Sequence, residues 1–205
     1  MRTAAVFVVA LAAAIPASAQ DLSFRPFLMF SAQKFSATQT FEATFGQATE
    51  QFWGGGINVT SDDQFYLELS ASRFDKTGTR AFFFDGTAYD LHIAQKVTMT
   101  PFEITGGYRV KRWNGIRPTF GAGIGVYRYK QVSDFSTGDE NVDTRHAGFI
   151  VEGGLELRLH RWFGIVGDVH YTHVPGILGD AGFSKDVGEK DLGGVAGRVK
   201  VIVGR

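Results

Sequence analysis

Apolar and polar side chains alternate along most of this chain. From Phe65 to Ser72, one face of an extended segment carries Phe65, Leu67, Leu69 and Ala71, and the other carries Tyr66, Glu68, Ser70 and Ser72. Residues 149–159 set Phe149, Val151, Gly153, Leu155, Leu157 and Leu159 against Ile150, Glu152, Gly154, Glu156 and Arg158. Near the end, Val195, Gly197, Val199, Val201 and Val203 oppose Ala196, Arg198, Lys200 and Ile202. Period-two patterning of this kind predicts strands with one apolar and one polar face.

Eight long strands are predicted, at 23–35, 51–60, 64–75, 96–111, 116–131, 144–160, 163–174 and 193–205. Pro101 interrupts the alternation of the fourth and predicts a bulge there. The gaps at 61–63, 112–115 and 161–162 are short, whereas those at 36–50, 76–95, 132–143 and 175–192 are long. The second long gap contains Asp85-Gly86 between Arg80–Phe84 and Thr87–Leu91, which predicts a small hairpin. Short turns on one side and long loops on the other predict an all-β fold: an eight-stranded antiparallel up-and-down barrel with both ends on the short-turn side.

The first twenty residues break this pattern. Arg2, an unbroken apolar run from Ala4 to Ile15, and Ala17-Ser18-Ala19 read as a signal peptide, residues 1–20, ahead of a barrel domain at 21–205. The apolar run is shorter than the roughly 20 residues that a membrane-crossing helix needs.

Composition narrows the function. Lys plus Arg and Asp plus Glu both total 21, so no basic excess points to nucleic acid. The absence of cysteine excludes a disulfide scaffold and thiolate chemistry. Alternation alone fits both a soluble lipocalin-like barrel, secreted or periplasmic with an apolar ligand inside, and a membrane barrel with its apolar face outward. Three features favour the membrane. The apolar face carries no charge over mid-strand. The polar face is small and mixed, with Thr105, Gly107, Gly121, Gly123, Gly125, Ser70 and Ser72. Two of the three tryptophans, Trp113 and Trp162, fall in or beside short turns, where a membrane-interface belt belongs.

The signal peptide, the strand and loop pattern and stretches such as Thr105-Gly106-Gly107-Tyr108-Arg109-Val110 and Arg117–Tyr127 resemble the small eight-stranded outer-membrane barrels of Gram-negative bacteria, the OmpA/OmpX-like group. The resemblance covers 21–205. It implies short periplasmic turns, long extracellular loops, and a monomer among outer-membrane lipids and lipopolysaccharide, placed there by the barrel insertion machinery. The group usually ends on an aromatic residue, whereas this sequence ends Ile202-Val203-Gly204-Arg205.

Candidate chemistry is sparse, and no catalytic, cofactor or metal residue is assigned. The polar face places Glu68, Glu103, Glu152, Glu156 and Asp168 with Arg25, Arg109, Arg158, Arg198 and Lys200. Opposite charges in equal number inside a narrow barrel predict a paired plug rather than an ion-selective lining. Asp168 and His170 share a face while His173 points away, which argues against a metal site. Lipid A deacylases of related architecture carry a His-x-Ser pair. Here His170-Tyr171-Thr172 has threonine instead, facing inward, so a lipid A-modifying hydrolase is the third reading. Asp139, Glu140, Asp143, Asp180, Asp186, Glu189 and Asp191 fall in long loops and read as solvated charge, with cation or sugar binding as the alternative. No motif names a loop partner.

Overall fold

The computed structural model describes residues 22–85, 87–111, 115–134, 141–179 and 183–204. The signal-peptide reading and Trp113 lie outside these residues. Eight strands are formed: β1 (Leu22–Phe35), β2 (Thr49–Ser61), β3 (Phe65–Phe84), β4 (Thr87–Arg109), β5 (Ile116–Ser133), β6 (Val142–His160), β7 (Phe163–Val174) and β8 (Leu192–Val203). Helix α1 (Thr38–Phe45) follows β1, and the single turn α2 (Phe183–Asp186) precedes β8. Each strand pairs antiparallel with its sequence neighbour, and β1 pairs with β8 to close the barrel. Closure leaves no unpaired edge over the shared height of the strands, which hydrocarbon surroundings demand.

The turns explain the order. Ser61–Gln64 is closed by the Gln64 N–H donating to the Ser61 carbonyl at 3.1 Å. Its central residues, Asp62 and Asp63, have φ of 49° and 59°. This left-handed pair matches the twist of a two-residue hairpin, and aspartate tolerates it better than most residues. At the other end, β3 and β4 run on past their neighbours as one long hairpin in which Phe84 pairs with Thr87. The expected separate hairpin at 80–91 is therefore the continuous tip of these two strands.

The predicted bulge at Pro101 is not formed. The β4–β5 register runs unbroken through Pro101↔Tyr127, and the β3–β4 register is the same on both sides of it. Proline removes a donor without inserting a residue, so the β3 ladder is interrupted only at Ser72 and Arg73. The register shift lies instead between Thr79 and Ala81.

The apolar face points outward. Leu28, Leu69, Ile124, Leu155, Val169 and Val199 are all exposed, at 44–74%. Aromatic side chains border this band. Phe24, Phe65, Tyr108, Trp162 and Phe163 lie toward the short-turn end, and Trp53, Phe102, Phe149 and Tyr171 toward the loop end. Exposed apolar area on this scale is stable only against lipid. That arrangement removes the soluble lipocalin-like alternative, whose apolar face would line the interior.

Candidate functional site

The interior has two parts. Toward the short turns, alternate residues of all eight strands converge as buried polar groups. Arg25 Nη2 lies 3.0 Å from Glu156 Oε1, and Arg109 Nε lies 3.2 Å from Glu156 Oε2. Arg109 also donates to Asn58 Oδ1 at 3.1 Å. Asn58 donates to Glu68 at 3.3 Å, and Glu68 receives Lys200 Nζ at 2.5 Å. Lys200 also lies 3.3 Å from Asp168, which accepts from Arg198 Nε at 2.6 Å. Arg198 in turn pairs with Glu152 and lies 3.6 Å from Glu103. Tyr66 donates to Glu152 and Tyr127 to Glu103, both at 2.8 Å.

Nine of the ten side chains named from the sequence thus meet in one lattice. Arg158 does not. It faces the same way near the end of β6, but its guanidinium donates to the Arg161 carbonyl at 3.2 Å, because its strand position carries it into the β6–β7 turn. Among the described residues it forms no direct ion pair, and it only adds to the positive field around Asp63. Three groups absent from the sequence reading join the lattice: Asn58, Tyr66 and Tyr127. Glycines make room for one of them. A Cβ on Gly107 or Gly121 would stand 2.4 Å from the Tyr66 side chain, so these positions are the slot in which the ring lies.

The lattice continues into the β2–β3 turn. Arg117 lies 2.6 Å from Asp63, and Arg109 lies 3.7 Å from it. The hydrogen bond from Arg117 holds the Asp63 carboxyl below the usual carboxylate range. The cavity among the lumen charges measures about 20 Å³, room for about one water molecule.

The loop-side half is apolar. Phe35, Phe41, Phe52, Phe74, Val97, Met99, Tyr129, Val174, Ile177, Leu178 and Leu192 form one buried cluster. Phe41 comes from α1, which folds into the mouth and stacks on Phe35 with ring centres 3.9 Å apart. Residue 37 gives α1 no side-chain cap. Glu189 supplies it from the last loop, accepting from the N–H groups of Gln39 at 3.0 Å and Thr40 at 2.8 Å. Glu189 is therefore a structural clamp rather than a solvated charge. Asp191 likewise accepts from the Gly176 N–H at 2.8 Å, and Asp143 is paired with Arg128. Asp139, Glu140 and Asp180 lie outside the described residues.

The apolar half was legible but unread. Carrying the inward parity of β3 from Glu68 and Ser70 onward reaches Phe74. The parity of β4 from Glu103 reaches Met99 and Val97, and that of β5 from Gly125 reaches Tyr127 and Tyr129.

His170 Nε2 lies 2.5 Å from Thr172 Oγ1, with both side chains buried in the lumen between the two halves. His173 points away from them, as expected. Among the described residues no three His, Asp or Glu side chains form a metal-holding group. Trp162 is half exposed in the β6–β7 turn, with the Arg161 guanidinium 5.9 Å from its ring centre.

A closed eight-stranded barrel that is apolar and aromatic-bordered outside and charged within is an integral barrel of the bacterial outer membrane. The chain belongs to the outer membrane protein beta-barrel domain family, which matches residues 4–193. Solved structures of the same fold include Neisserial surface protein A (12% identity, TM-score 0.52, 88% of this chain and 96% of that one). The outer membrane protein OprG from Pseudomonas aeruginosa is similar to the same degree (12%, 0.52, 90% and 94%). Ail of Yersinia pestis, solved with the heparin analogue sucrose octasulfate, is a third (11%, 0.50, 89% and 97%). Comparison with curated proteins finds no match.

Proposed function

We propose that this protein is a closed scaffold of the outer membrane, with a structural or surface-interaction role and no through-pore. What supports the reading is the packing of side chains across the lumen at two levels. Side chains that hold one another across its lower half leave about 20 Å³, and the aromatic cluster with α1 packs into the upper half, beside a cavity of about 390 Å³ near the mouth. The lattice's five carboxylates and four bases nearly cancel, so they give little preference for an ion of either sign. The protein acts as a monomer surrounded by lipid and lipopolysaccharide.

The β3–β4 hairpin supports the surface role. It stands above its neighbours and presents Phe82, Phe84, Tyr89 and Leu91 on one face, each 42–64% exposed. Exposed apolar groups held together on a paired hairpin suit contact with another molecule. No enzymatic role is proposed. The His170–Thr172 pair is enclosed, with the charge lattice below it and the aromatic cluster above. Planar-bilayer recording tests the reading. The expected result is no steady conductance from the full-length protein, and a large, stable, ion-selective conductance would overturn it.

A further inference from the structure

Just above the lipid-facing band, one side of the barrel is basic. The outward positions that follow Ala71, Val126 and Ala147 along their strands are Arg73, Arg128 and Arg145. Lys130 and Lys96 stand higher on the same face. These five bases face three acids, Asp75, Asp134 and Asp143. Arg73, Lys96, Arg128 and Lys130, with Asp75 and Asp134, line a concave surface of about 680 Å³ on the outside of β3–β5, and Arg145 and Asp143 lie beside it on β6. On the strands of the opposite side, the matching positions carry one lysine, Lys34, with Gln51, His173 and Gly193.

Two details separate this face from ordinary solvated charge. Arg128 and Arg145 are direct cross-strand partners, an arrangement in which like charges repel unless an anion joins them. Asp143 satisfies one of them, binding Arg128 at 2.6 and 2.9 Å. Among the described residues Lys130 and Arg145 form no direct ion pair, although Lys130 stands directly across from Asp143 and both bases lie within its field; Lys96 is held by Asp75 at 3.0 Å. Arg73 is similarly steadied by Asp75 at 2.8 Å, with guanidinium N–H groups left over.

We propose that this face binds the phosphorylated sugar headgroup of an outer-leaflet glycolipid of the lipid A type. Guanidinium groups grip phosphate oxygens in a fixed fork. Continuity with the apolar band chooses a lipid over a soluble polyanion. Directly beneath the arginines lie Phe102, Ile124, Val126 and Phe149, all exposed, against which acyl chains of the same molecule would pack. The site is on the outside of the barrel and stands whether or not the lumen conducts.

The test is binding of bisphosphorylated lipid A to the full-length protein in a zwitterionic detergent, read by native mass spectrometry. The wild type should retain one lipid A. Arg73→Ala/Arg128→Ala/Lys130→Ala should bind at least tenfold more weakly, dephosphorylated lipid A should lose a similar factor on the wild type, and Lys34→Ala should change nothing. Folding is read from heat-modifiable gel migration. Should the triple variant fail to fold, Lys130→Ala/Arg145→Ala removes bases that form no direct ion pair and should still weaken binding severalfold. Unchanged binding in a folded variant, or equal binding of the dephosphorylated lipid, overturns the proposal. So does sucrose octasulfate that displaces lipid A from the wild type but not from the variants, with lipid A itself bound equally by both, since that assigns the bases to a soluble polyanion.

Discussion

The two halves of the lumen solve the same problem by opposite means. Both must pack side chains into a narrow tube. The lower half does it with ionic groups whose partners come from across the barrel, so each contact is specific and the loss of one member strands another. The upper half does it with rings and branched side chains, so contacts are many, non-directional and replaceable in part by relaxation. The lower half sits between lipid-covered walls and short turns. The upper half holds α1, which comes from a loop and is held by one carboxylate from another loop. Rigidity is therefore expected to fall from the periplasmic end toward the outside.

The sharpest way to break this contrast is to remove one ion. Arg198→Ala strips Glu103 of its arginine and leaves Asp168 and Glu152 to share Lys200, and Glu152→Ala leaves Arg198 and Lys200 short of a partner. Each should cost about 3–5 kcal/mol if the lumen stays dry, and less if water enters. Urea unfolding in lipid vesicles measures it. The double variant should cost clearly less than the two single losses together.

Truncation in the upper half should cost somewhat less. Phe52→Ala and Phe74→Ala remove rings 5.5 Å apart and should each lose about 3 kcal/mol, at the lower end for a buried Phe because α1 can settle. Combined with Arg198→Ala, Phe74→Ala should be additive within about 0.5 kcal/mol. Strong coupling would show that the halves are one unit.

A smaller effect is expected at the clamp. Glu189→Gln keeps an acceptor but loses the charge at the α1 N-terminus, which should cost up to about 1 kcal/mol. The loss should appear as faster amide exchange over 38–45, with the lattice residues unaffected.

The smallest effect is a pH dependence at the periplasmic turn. Asp63 has a lowered folded-state pKa, so its pairing contributes stability above the ordinary carboxylate pKa and loses it as pH falls through the lower folded value. The window is thus below about pH 4. Asp63 is half exposed, so screening limits the contribution to under about 1 kcal/mol. Wild type should lose slightly more stability than Asp63→Asn between pH 5 and pH 2.

Alternation was enough to read the barrel because a one-residue slip would turn every Leu and Val of a strand from lipid to lumen. The same parity carried Glu68, Glu103, Glu152, Glu156, Asp168, Arg25, Arg109, Arg198 and Lys200 inward. It also carried Arg158 inward but could not say that the strand ends there, since turns are set by backbone closure rather than by side-chain period. Pro101 misled for a related reason. A missing N–H and an inserted residue look alike in a one-dimensional pattern, but only the second shifts register.

By itself, the sequence determined the number of strands, which face meets lipid, and which charges enter the lumen, because all three follow from a local period of two. Only the tertiary structure decided who pairs with whom. Lys200 reaches Glu68 across 132 residues, and Glu189 caps a helix about 150 residues away. Both distances follow from closure of the sheet and from the stagger of its strands, which bring together positions that no local pattern relates.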